Sequence, residues 1–149
     1  MAERVESWLP HLLGFILPIT TITGVFLGGW WSASGLVWAL GISPIIDFFS
    51  PAAAPIREDD FSTVPWNLLL FGHSIATISA ISILMYRVQL DGLIPTTIVA
   101  AISVGLVSGF SGIINAHEQG HRKKGSLIWR MARINLLLVM YMHFTTEHN

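Results

Sequence analysis

Four long apolar runs, interrupted by so few charges that each can cross a bilayer, constrain this chain more than any other feature of its sequence. A helix needs ~20 residues to traverse the hydrocarbon core of a bilayer. Runs of that length extend from about His11 to Trp30, Trp31 to Phe49, Trp66 to Tyr86 and Leu93 to Ala116. Lipid offers the backbone no hydrogen bonds, so such runs must satisfy their own amides and are expected to be helical. Charged residues make up 11% of the chain and hydrophobic residues 52%, against ~25% charged in soluble domains. The expected class is therefore an all-α integral membrane protein.

The punctuation between the runs fits that class. Gly28-Gly29-Trp30-Trp31 reads as a tight turn with aromatic interface anchors. The stretch from Ser50 to Asp60 carries prolines and charges and reads as a water-exposed loop. Gln89-Leu90-Asp91-Gly92 leaves room only for a turn, and no internal repeat or low-complexity segment is present. The first six residues hold more acid than base and no small-residue cleavage site follows, so the first run is expected to be an uncleaved span. In this four-span arrangement one side collects Arg4, Arg57, Arg122, Lys123, Lys124, Arg130 and Arg133, and the other has only Arg87. The positive-inside rule then puts both termini in the cytoplasm. The stretch from Leu127 to Met142 is apolar but holds Arg130 and Arg133 about a turn apart. It suits a helix lying at the cytoplasmic interface better than a fifth span.

Net charge is −1 and gives no sign of a nucleic-acid partner. There is no cysteine, which excludes disulfides, iron–sulfur clusters and thiolate metal sites within the chain. Any metal must be held by histidine and carboxylate. His117 and His121 are four residues apart, where the fourth run gives way to Arg122-Lys123-Lys124. At that spacing two side chains share a helix face, with Cβ atoms ~5–6 Å apart, and both imidazoles can reach one ion. A pair alone does not close a site. His148 is the natural third ligand, with Glu147 beside it and His143 about one turn earlier. Imidazole suits iron, zinc, copper and nickel alike. The plainer alternative for the pair is hydrogen bonding at the membrane interface.

His73 lies within the third run, where an ionisable side chain is either functional or bonded to a neighbouring helix. His11 opens the first run among headgroups, and Asp47 closes the second, facing either water or the histidine region.

The segment from Ser103 through His117-Glu118-Gln119-Gly120-His121-Arg122-Lys123, together with Tyr141-Met142-His143-Phe144-Thr145-Thr146-Glu147-His148-Asn149, closely resembles the integral-membrane non-haem di-iron alkane monooxygenases. These are relatives of the xylene monooxygenases and fatty-acid desaturases. Ser43-Pro44-Ile45-Ile46-Asp47 is similar, more weakly, to the end of that family's second span. The resemblance implies that His117 and His121 are iron ligands from a first histidine box and His148 the first ligand of a second. His143 precedes that box and is expected beside the ligands rather than among them, and Glu118 and Glu147 are expected to orient ligand imidazoles. Gln119 stands where the family usually has an aliphatic residue.

The resemblance further implies a pair of iron ions, terminal hydroxylation of alkanes or related fatty-acyl-like chains by dioxygen, and electrons from rubredoxin and rubredoxin reductase. It implies residence in a bacterial inner membrane, with substrate reaching the metal along a channel between apolar helices. Trp38, Trp66 and Phe71 are candidates to line that channel, although aromatics in spanning helices commonly pack against lipid. In the family the second box continues as Gly-His-His, and two further spans and a third histidine box follow. Residues 1–149 are therefore expected to form one incomplete domain of a six-helix hydroxylase/desaturase-like fold, inactive by itself.

His117-Glu118-Gln119-Gly120-His121 also matches the pattern His-Glu-x-x-His, in which two histidines hold zinc and the glutamate is a general base. The alternative function is thus a zinc membrane metalloprotease, with Glu147 as a possible third ligand. The box from His143 to Asn149 fits only the oxygenase resemblance.

Overall fold

A computed structural model describes residues 8–50 and 63–144, together with the backbone at residues 4–5 and 56–57. Four helices in it are long and apolar enough to cross a membrane: Leu9–Leu27, Gly29–Phe49, Val64–Asp91 and Pro95–Gly120. A shorter helix follows at Leu127–Leu138. The chain is an all-helical membrane protein but for a two-residue parallel pairing of Arg4–Val5 with Ile56–Arg57, which gathers the two segments flanking the first pair of helices at one end.

Local chemistry sets the boundaries. Gly28 and Gly29 have φ of 77° and 57°, so the turn is confined to the glycines. Trp30 and Trp31, expected within the turn, already belong to the next helix. The third helix runs to Asp91, beyond the expected end at Tyr86. Arg87 and Asp91 pair at 3.5 Å one turn apart and support its last turn. Gly92, at φ 71°, then ends it. Thr97 Oγ1 accepts from the Ile94 N–H at 2.9 Å and donates to the Gly92 carbonyl at 2.8 Å, so the turn to the fourth helix is closed by one hydroxyl.

Between the spans the usual inside-out pattern is reversed. Thr21, Ser32, Ser74, Thr77, Ser103 and Ser111 are buried, while Trp30, Phe48 and Ile75 are exposed. Lipid is as apolar as leucine, so burial of apolar surface does not drive helices together there; small residues and interhelical hydrogen bonds do. Ser103 Oγ donates to the Ser32 carbonyl at 2.6 Å and Ser34 Oγ to the Thr20 carbonyl at 2.7 Å. A Cβ on Gly35 would run into Thr21 Oγ1, so the first two helices approach as closely as they do because Gly35 has no side chain. Around these contacts pack Leu17, Val25, Ala80, Ala100, Val104 and Val107.

The second and fourth helices each contain a π-helical stretch, at Val37–Ile42 and Ser108–Ile113. Such bulges rotate the side chains that follow relative to a regular helix. The last helix starts at the N-cap Ser126, whose Oγ accepts from the Trp129 N–H at 3.3 Å. It packs on the end of the fourth helix through Ala116, Ala132 and Leu136. It ends at Leu138, not at the expected Met142, because Met140 turns into the left-handed region at φ 56°.

Candidate metal centre and adjoining cavity

The fourth helix carries His117 in its final turn, and His121 is the C-cap that follows its last residue, Gly120. Their Nε2 atoms lie 3.2 Å apart and the ring centroids 4.7 Å apart. Two nitrogens bound at about 2.0–2.1 Å to one ion, at angles of roughly 90–110°, sit about 3.0–3.4 Å apart. The separation is that of two ligands of a single ion, and in this structure it is spanned by a hydrogen bond between the two rings, the plainer alternative for the pair. Glu118 is oriented elsewhere: its Oε1 accepts from Arg122 Nη2 at 3.2 Å.

The chain after the last helix folds back toward this pair. Phe144 sits against His117 at 5.5 Å between ring centroids, and Tyr141 bridges Phe144 at 5.8 Å and His143 at 4.3 Å. Glu147 and His148 lie outside the described residues. Among the described residues, no three His, Asp or Glu side chains come together as a metal-holding group.

Next to the pair opens a cavity of about 820 Å³ between the first four helices, within the range usual for small-molecule sites. Of the three channel candidates, Trp38 and Trp66 line it and Phe71 does not. The third helix contributes Trp66, Leu69, Leu70 and His73, the i, i+3, i+4, i+7 positions of one face, and Phe71 is turned ~100° away from Leu70. Asn115 and Glu118 on the fourth helix and Arg122 just beyond it line the cavity, whereas His117 and His121 do not. Asp47 is exposed and does not line the cavity.

His73, either functional or bonded to a neighbouring helix on its sequence, and His11, expected among headgroups, both line this cavity. His73 Nδ1 is 3.1 Å from Ser111 Oγ, and its ring stacks on Phe15 with centroids 4.0 Å apart. His11 meets Trp66 edge-on at 4.8 Å. Both π-helical stretches also face it: one supplies Trp38 and Ala39, the other Phe110 and Ser111. The seven-residue spacing from Trp66 to His73 was the one signal in the sequence that could have placed His73 here.

Comparison with known proteins finds two curated relatives. An alkane 1-monooxygenase of Pseudomonas putida is 29% identical over 93% of this chain and 37% of its own length. Alkane 1-monooxygenase 1 of Alcanivorax borkumensis is 32% identical over 93% of this chain and 36% of its own length. The chain thus spans little more than a third of the curated relatives it matches. No family model and no solved structure matches it.

Proposed function

We propose that this chain, a relative of the alkane 1-monooxygenases over 93% of its length, forms part of an iron site that hydroxylates the terminal carbon of alkanes or related apolar chains. The observation that carries this reading is the pair of imidazole nitrogens 3.2 Å apart, at the end of the helix that also lines the cavity. In this reading His117, His121 and His148 are ligands, and further ligands complete a two-iron shell. Bound iron supplies the activation of dioxygen, with electrons from a rubredoxin and its reductase.

The chain's own residues then have distinct tasks. Trp38, Leu69 and Phe110 on the cavity wall offer apolar contact to a substrate that has no polar handle. Phe144 packs on His117 and limits the directions from which solvent reaches the pair.

Metal selection tests the proposal. The 149-residue chain, purified in lipid and loaded anaerobically with competing metals, is expected to bind iron weakly. Binding should fall at least tenfold in His117→Ala, His121→Ala and His148→Ala. Tight stoichiometric zinc, lost on Glu147→Ala and accompanied by peptidase activity lost on Glu118→Gln, would replace this reading with the metalloprotease.

A further inference from the structure

The last helix, Leu127–Leu138, has two opposed faces. Ala132, Asn135 and Leu136 are buried, and Asn135 Nδ2 donates at 2.8 Å to Ser74 Oγ on the third helix, which also accepts from Gln119 Nε2 at 2.9 Å. Arg130, Arg133, Ile134 and Leu137, the i, i+3, i+4, i+7 positions of the other face, are all exposed. That face is basic in its N-terminal half and apolar in its C-terminal half. The Arg133 guanidinium lies over the Trp129 ring at 5.0 Å, and among the described residues none of Lys123, Lys124, Arg130 and Arg133 pairs with a carboxylate. From Gln119 to Thr146 the sequence has five basic residues and no acidic one.

The helix also has a direction relative to the bilayer. Its Ala132 and Leu136 pack against Ala116, about one turn from the end of the fourth span at Gly120. Val139, just past the helix, packs deeper: its Cγ1 lies 3.7 Å from where a Cβ on Gly112 would stand, and Gly112 is ~12 Å of helix inside that end. The last helix therefore runs obliquely back along the fourth span toward the bilayer interior. Its two arginines are nearer the water, and Ile134 and Leu137 are deeper.

We infer that this face is a docking site for an anionic phospholipid of the surrounding bilayer, whose phosphate meets Arg130 and Arg133 and whose acyl chain runs along Ile134 and Leu137. Charge at the shallow end and apolar side chains at the deep end follow the order in which a phospholipid presents its headgroup and tail. Arginine donates in a planar fork that matches phosphate. Lys123 and Lys124, just before the helix, add to a positive field that favours a net negative headgroup over a zwitterionic one. Other occupants match only half of the face. An acidic soluble protein would answer the arginines and leave Ile134 and Leu137 without apolar contact, and a second copy would bring the same uncompensated cations and no acid to the interface.

Local lipid contact tests this in the full 149-residue chain reconstituted in phosphatidylcholine bilayers. Because the chain has no cysteine, a fluorophore on Leu138→Cys, beside the face, reports quenching by lipids that carry a nitroxide on the acyl chain. Labelled phosphatidylglycerol should quench it at least twofold more strongly than labelled phosphatidylcholine at equal mole fraction, and about 0.5 M salt should lower that ratio. Arg130→Gln combined with Arg133→Gln should bring the ratio to about one without loss of helix content, whereas Arg130→Lys with Arg133→Lys should retain part of it. A fluorophore on Ile98→Cys, exposed near the other end of the fourth helix, should give a ratio of about one throughout. A ratio of about one at Leu138, or one that the arginine substitutions leave unchanged in folded chain, overturns the proposal. Loss of the ratio on adding millimolar inorganic phosphate also overturns it, because the arginines then take the free anion. Quenching by aqueous iodide in place of either lipid would show a face open to water and to a soluble acidic partner, and quenching by none of the three would show a face covered by protein; both outcomes remove the lipid as its occupant.

Discussion

Arg87 does two jobs that one apolar residue could not. Its Nε donates to the Val25 carbonyl at 3.0 Å and its Nη2 to the Phe26 carbonyl, so the guanidinium closes the last turn of the first helix. Those carbonyls have no partner within their own helix, and near lipid no water substitutes readily. Gly28 makes room, since a Cβ there would meet the guanidinium at 2.6 Å. Arg87→Met is expected to cost about 2–3 kcal/mol, the value of one or two hydrogen bonds from a charged donor, read as a shift in denaturant unfolding in micelles. Arg87→Lys keeps the charge but not the planar fork, and should recover less than half; full stability in Arg87→Met would remove this cap from the account of the fold. In the sequence Arg87 is visible only as a lone charge on the sparsely basic side. His117 and His121 were legible at this scale because i, i+4 spacing fixes a shared face without knowledge of tertiary structure. Gln119 and Asn135 were not, because their partner Ser74 lies 45 and 61 residues away.

The last helix shows how a boundary escapes sequence reading. Its hydrophobic pattern continues past Leu138 through Val139 and Met140 to Met142, yet the chain closes a Schellman turn there. The Tyr141 N–H donates to the Leu136 carbonyl at 2.8 Å and the Met140 N–H to the Leu137 carbonyl at 3.0 Å. The left-handed residue is Met140, at φ 56°, where glycine is the usual signal. An L-residue there costs about 1–2 kcal/mol, and glycine returns roughly 0.5–1 of that as entropy of the unfolded chain. Met140→Gly is therefore expected to stabilise the turn by up to about 1 kcal/mol, seen as slower hydrogen exchange at the amides of residues 139–141. Faster exchange would mean that packing of the exposed Met140 side chain holds the turn instead. The π-helical stretches escaped for another reason: a shift from i+4 to i+5 bonding leaves hydropathy unchanged, so nothing in Val37–Ile42 or Ser108–Ile113 announces it. The four spans were legible because length and apolarity alone decide whether a helix can cross a bilayer.

At the scale of the whole molecule, one asymmetry orders the parts. The parallel pairing of Arg4–Val5 with Ile56–Arg57 brings two of the basic segments to one end. In an up-and-down arrangement of four spanning helices, the end of the fourth, with Arg122, Lys123 and Lys124, returns to that same side. Arg130 and Arg133 follow on the short last helix, which at 12 residues is too short to cross, given the ~20 a span requires. Arg87 is the exception, and it is engaged with backbone carbonyls. Basic residues beside spans are retained on the cytoplasmic side, so seven against one is a strong bias. A reporter fused at Asn149 is expected to be active only in the cytoplasm, and one inserted at Asp91 only on the opposite side, in a bacterial inner membrane. Replacing Arg122, Lys123 and Lys124 together by Gln should weaken that bias and yield a mixed population, because three of the seven charges sit there. A cytoplasmic Asp91 in the unsubstituted chain would break the four-span order.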